Sequence, residues 1–273
     1  MEYSNPEIPE GINTSKTHPL KEFIWLTGGV VSVIAVLMIV LILISDVLTR
    51  YIPFSVEQKL ASSVIKPDSE TGPLAEYLQT LTQRIALAEN LPDDMSISVH
   101  YLDDDTVNAF ATLGGHVFIF RGLLEKLPNE NALAMVLSHE IAHIKHRHPI
   151  RSLSRGVLIA LAMSVISTSA GDSVTEGFLG EAGLLTVMKY SRDMEAEADQ
   201  TAITTLLARY GHLAGANELF QILQKEAGSL EVPEFFSSHP LNEVRIKNIN
   251  KHTTHDNNTV TPLPQDYKKW FEQ

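Results

Sequence analysis

Residues 138–149 read SHEIAHIKHRHP and place histidines at 139, 143, 146 and 148 around one glutamate. His139 and His143 are four positions apart, so on a helix they point the same way, with Glu140 beside them. This H-E-x-x-H arrangement can bind zinc through the two imidazoles and supply a general base through the glutamate, the chemistry of metal-assisted peptide hydrolysis. The motif is short enough to arise by chance, so a second signal is required. The chain has no cysteine, and any metal must therefore sit on His, Asp or Glu.

A catalytic zinc takes three protein ligands and keeps a fourth position for water. The stretch YSRDMEAEADQTAITTLLARYG, residues 190–211, offers a candidate for the third. Glu195 and Asp199 lie four apart on one face, as a ligand and a carboxylate behind a ligand would need to be. An acidic first turn is also what the helix dipole favours on any solvated helix, so this stretch alone is not decisive.

Both motifs need helices to aim them. The segment NENALAMVLSHEIAHIKHRHP begins at an Asn that can cap, carries Leu133, Val136, Leu137, Ile141 and Ile144 at helical spacing, and stops before Pro149. His146 and His148 then fall near a helix end, where cations suit the dipole. In the second helix Ser191 can cap and Gly211 can terminate, while alanines at 196, 198 and 202 would let another helix approach closely. Upstream, apolar spacing from Gly72 to about Glu89 predicts a helix. SISVHY and VNAFATLGGHVFIFRG predict strands, the latter a hairpin about Gly114-Gly115, and together a small antiparallel sheet. The hairpin would offer an edge strand to an extended peptide.

HEIAH followed by RH at 147 and 148, NAFATLGG upstream and SRDMEAEAD downstream resemble the membrane-associated zinc metallopeptidase family that includes HtpX, BepA and the CAAX prenyl protease. The resemblance covers roughly residues 73–250, with the motifs in the family's order. It implies a zincin-like metalloprotease domain of mostly helical α+β fold and one Zn2+ per chain. The implied ligands are His139, His143 and Glu195, the base Glu140, and Asp199 the carboxylate that holds a zinc-binding histidine. SHPLNEVR matches a further family feature at His239 and Arg245, which implies a stabiliser of the tetrahedral oxyanion; a neutral His239 could instead fill the fourth zinc position at rest. At about 100° per residue Glu197 points some 200° from Glu195, so one helix cannot aim both at one ion.

Around this domain the chain divides readily. Residues 1–22 form an N-terminal tail, and 23–45, FIWLTGGVVSVIAVLMIVLILIS, are uncharged and long enough to cross a bilayer. Residues 46–72 are a juxtamembrane linker, 73–256 the metallopeptidase domain and 257–273 a surface tail. Lysines and arginines are nearly balanced across the span, so sidedness is not set by charge; resemblance to bacterial members with an N-terminal anchor implies a periplasmic domain if the source is a Gram-negative bacterium. Residues 156–171 are apolar, but a single crossing between His143 and Glu195 would separate them by a membrane, so a buried or membrane-dipping helix is expected. A net charge of −12 leaves no basic face for phosphates and argues against nucleic acid.

The function that follows is a single-pass, membrane-anchored zinc metalloendopeptidase acting on unfolded or misfolded proteins. The quality-control role comes from the resemblance. A zinc-stabilised chaperone or binding module is the alternative, and the intact Glu140 weighs against it.

Overall fold

The computed structural model describes residues 18–65, 71–166, 190–226, 235, 239 and 259–271. Helix α1 (Pro19–Leu48) buries none of its residues, and Phe23, Trp25 and Leu26 are 65%, 73% and 71% exposed. Thirty residues at about 1.5 Å each span ~45 Å. Among the described residues this is the one helix long and apolar enough to cross a membrane.

The stretch expected to be a linker is not a plain connection. It contains α2 (Phe54–Val64), which buries Phe54, Glu57 and Ala61 and packs on the turn at Leu113–Gly115. Phe54 belongs to the main core. Glu57 is held by the Arg147 guanidinium at 2.5 Å, and Arg147 also donates to the Ile52 carbonyl at 2.8 Å. A buried carboxylate costs several kcal/mol unless paired in this way, so the contact ties α2 and the segment after α1 to the residue that follows α5.

Helix α3 (Pro73–Glu89) starts on its proline and buries Leu74, Leu78, Leu81 and Ile85. Strands β1 (Ser98–Leu102), β2 (Ala109–Ala111) and β3 (His116–Phe120) follow. The sheet is mixed, not antiparallel throughout: β3 is central, with β2 antiparallel to it and β1 parallel. The hairpin about Gly114-Gly115 forms as its sequence requires. Gly115 has φ +88°, and a Cβ there would lie 1.9 Å from the Ser96 carbonyl oxygen. The β1–β2 connection is what breaks the antiparallel order, because it crosses the end of β3. Gly122 permits this: an added Cβ would sit 2.0 Å from the Asp105 carbonyl oxygen. Arg121 then pins the crossing through Asp103 at 2.6 Å and Asp105 at 2.8 Å.

After the single turn of α4 (Arg121–Leu124) comes α5 (Glu130–Lys145), buried along every residue from Glu130 to Ile144. Asn129 caps it by accepting the Ala132 amide at 2.9 Å. It packs against β2, α3 and α7 (Arg192–Tyr210). In α7 Ser191 caps and Gly211 terminates in the left-handed region. Ala198 and Ala202 face the contact, whereas Ala196 is exposed. Helix α8 (Glu218–Glu226) is joined to α5 through Asn129, which donates to Glu218 at 2.7 Å.

Between α5 and α7 runs α6 (His148–Ile166), packed against α1. Arg155 pairs with Asp46 near the end of α1, with Nε 3.0 Å from Oδ1. The rest of 156–171 lies outside the described residues. The expected surface tail is also in part a core element. Thr261 bonds the start of α5 in both directions, accepting from the Glu130 amide at 2.9 Å and donating to Asn131 at 2.8 Å. Tyr267 is buried edge-on against Tyr77, a burial worth about 2 kcal/mol.

Candidate active site

Helix α5 contributes His139, Glu140 and His143, and α7 contributes Glu195 and Asp199, all from the face where the two helices meet. His139 Nε2 and His143 Nε2 are 3.0 Å apart, and Glu195 lies 3.4 Å from the first and 3.5 Å from the second. His239 closes the group: its Nδ1 is 3.1 Å from Glu195 Oε1 and 3.3 Å from His139 Nε2. These four residues are buried, with ligand atoms within 4.8 Å of one another. Arg245 lies outside the described residues.

The spacing fits a tetrahedral ion. Donors about 2.0–2.1 Å from one zinc stand about 3.3 Å from each other. The donor chemistry fits as well, because the outward nitrogens are engaged elsewhere. His139 Nδ1 is 3.0 Å from Asp199 Oδ1, and His143 Nδ1 is 2.8 Å from His148 Nδ1, so each Nε2 is turned to the cluster. Glu197 is on the opposite side of α7, half exposed, as the helical angle requires.

Glu140 sits beside the four donors, its Oε1 3.4 Å from His239 Nε2. Burial raises its pKa, with His239, His139 and the Ala111 amide acting in the other direction. For Glu195 burial works upward too, but His239 and His139 overcome it and hold the carboxyl well below the usual range. Burial disfavours charge on His139, yet Asp199 and Glu195 raise its pKa to about 10. Burial and the neighbouring His139 push His143 well down.

Two residues of the site were not foreseen. Tyr190 stacks on His143 with ring centroids 3.9 Å apart and donates from its hydroxyl to the Ala111 carbonyl at 3.0 Å. His148, expected as a helix-end histidine, is fully buried. Pro149 was the signal: it is the second residue of α6, and proline favours a helix's first turn as readily as it follows a helix's end. Arg147 at φ +60° turns the chain between α5 and α6 and brings His148 back onto His143.

Strand β2 is an edge of the sheet. Asn108 and Thr112 bond inward to β3 (Phe120 amide to Asn108 carbonyl 3.1 Å, Thr112 amide to His116 carbonyl 2.8 Å), so Ala109 and Ala111 turn their backbone groups outward. The Ala111 carbonyl is the one that Tyr190 engages.

Paired histidines and a buried glutamate on one helix, completed by a carboxylate one helix away, define a metallopeptidase-type centre. Residues 74–253 match peptidase family M48, and the chain belongs to that family. It is 30% identical over 180 residues to the mitochondrial metalloendopeptidase OMA1 of Schizosaccharomyces pombe, covering 65% of this chain and 52% of that protein. It is 27% identical over 210 residues to the beta-barrel assembly-enhancing protease of Escherichia coli, covering 71% of this chain and 42% of that protein. The chain thus spans about half, or less, of the length of these relatives.

Proposed function

We propose that this chain is a zinc-dependent endopeptidase, anchored in a membrane by α1, that cuts unfolded or misfolded proteins. The observation that carries the reading is the convergence of His139, His143 and Glu195 at ligand spacing beside a buried Glu140 that is not one of the donors. The names of the relatives, a metalloendopeptidase and a beta-barrel assembly-enhancing protease, support proteolysis in protein quality control. The length and bare apolar surface of α1 support a lipid bilayer around it.

His139, His143 and Glu195 would hold the ion, and Asp199 orients His139. A zinc ion bound there would lower the pKa of a water to about 7 and polarise the scissile carbonyl. Glu140 takes the proton of the attacking water and hands it to the departing amine. Burial, which raises its pKa, suits it to this exchange, because it makes the carboxyl a better base for the water's proton. His239 lies within reach of the same ion; acting as a fourth ligand it would close the site and would have to withdraw before a carbonyl could approach. Displaced from there, it would be the group to donate to the oxyanion. An extended substrate pairing with β2 would likewise take the Ala111 carbonyl from Tyr190.

Glu140→Gln is the direct test. The full chain, purified in detergent, should keep its zinc and lose casein cleavage by several orders of magnitude, because a base is removed and no ligand is. Cleavage at the parental rate would refute the mechanism. Full biological activity of the variant in cells would favour the chaperone.

A further inference from the structure

We propose that His148 and Glu197 are positioning residues for His143, forming a relay that fixes which nitrogen of His143 faces the metal. The inference rests on the zinc reading above and concerns only what stands behind one ligand.

His139 and His143 are four apart on one helix, yet their outer nitrogens meet different chemistry. His139 Nδ1 faces the carboxylate of Asp199 at 3.0 Å. His143 Nδ1 faces another imidazole, His148 Nδ1, at 2.8 Å, and both rings are fully buried. Two ring nitrogens this close are bonded only if one carries hydrogen and the other a lone pair. His143 Nε2 faces the cluster, where a ligand must present its lone pair, so the ring hydrogen of His143 is on Nδ1. His148 Nδ1 must then be bare and its own hydrogen must be on Nε2. That nitrogen is 3.1 Å from Glu197 Oε2, a carboxylate that can only accept. The assignment closes without conflict: Glu197 sets the tautomer of His148, and His148 sets that of His143.

Each partner is held in place independently. Arg147, turned by its positive φ and locked onto Glu57, delivers His148 to the back of His143. Tyr190 stacks on His143 and keeps the ring in its plane. Glu197 is flanked by His146, whose Nδ1 is 3.2 Å from the second carboxylate oxygen. A neutral imidazole orients His143 without putting a second carboxylate against the wall of the site. The negative charge that sets the relay stays on Glu197, 48% exposed, where water screens it.

The test compares zinc affinity, by chelator competition, and the visible spectrum of the Co2+-substituted full chain in detergent, for the parent, His148→Phe, His148→Asn and Glu197→Gln. His148→Phe keeps the volume and removes the acceptor, so affinity should fall about 10- to 100-fold and the cobalt bands should shift. His148→Asn, whose side-chain oxygen takes the place of Nδ1, should recover most of the loss. Glu197→Gln, at the surface and no threat to packing, should weaken zinc by a few-fold and serves if His148→Phe does not fold. Parental affinity and spectrum in His148→Phe or, where that variant does not fold, in Glu197→Gln would overturn the relay while leaving the zinc centre standing. An Asn variant no better than Phe would also overturn it, since volume alone would then matter. A parent that binds no zinc would overturn the zinc reading and this inference with it.

Discussion

Glu195 and Asp199 are one helical turn apart on α7, yet they stand at different depths of the same site. Glu195 meets both inward nitrogens, whereas Asp199 meets the outward nitrogen of His139. Metal analysis of purified variants should separate them. Glu195→Gln should lose most bound zinc and all cleavage, and Asp199→Ala should weaken zinc about 10- to 100-fold while leaving a site that refills at high metal concentration. Equal zinc in Glu195→Gln and parent would remove Glu195 from the coordination sphere. These residues were legible in the sequence because their geometry is local: two pairs at four-residue spacing need only a helix to align them. His148 was not legible, because its place depends on one residue, Arg147, leaving the helical region and reversing the chain. Glu197 was read as pointing away from Glu195, and it lies on the other side of α7, where a second imidazole waits. His239 is a hundred residues from His139, and no local pattern joins them; only the family resemblance pointed to it.

At the level of elements, helices were read more faithfully than the sheet. Caps at Asn129, Ser191 and Gly211 act where their residue types require, and the hairpin follows from its glycines. The parallel pairing of β1 was hidden, since it depends on how the six residues after Leu102 route across Gly122 and not on any alternation within the strand. That pairing brings His100 and His116 together, 2.8 Å apart and half-buried. Burial, followed by the neighbouring His116, pushes His100 down to about 4, and burial lowers His116 as well. Between the ordinary histidine value and these folded values the unfolded chain binds more protons. The pair's contribution to stability is therefore complete above about pH 6.5 and lost as pH falls toward 4. Thermal melts of metal-free protein should show Tm falling through this window. His100→Phe, which can still stack on Phe118, should flatten the fall. An unchanged slope would show that the pair does not carry it.

Across the whole molecule, the body of the chain is fastened to α1 and the segment after it at two levels. Arg147 grips Glu57 of α2 next to the active-site helix, and Arg155 of α6 grips Asp46 at the end of α1. Composition could announce an apolar span but not these clamps, because each joins residues ninety or more positions apart and one of them depends on the left-handed turn at Arg147. The consequence is a site held close to the end of α1 instead of swinging on a linker. All of this has catalytic meaning only if the buried cluster of His139, His143, Glu195 and His239 holds zinc. The most direct measurement is the zinc content of the purified full chain, taken with casein cleavage before chelation, after chelation and after zinc is restored. One zinc per chain, with activity that disappears and returns with the metal, is the expected result. A chain that binds no zinc when loaded, or that goes on cutting with the metal stripped away, would contradict it.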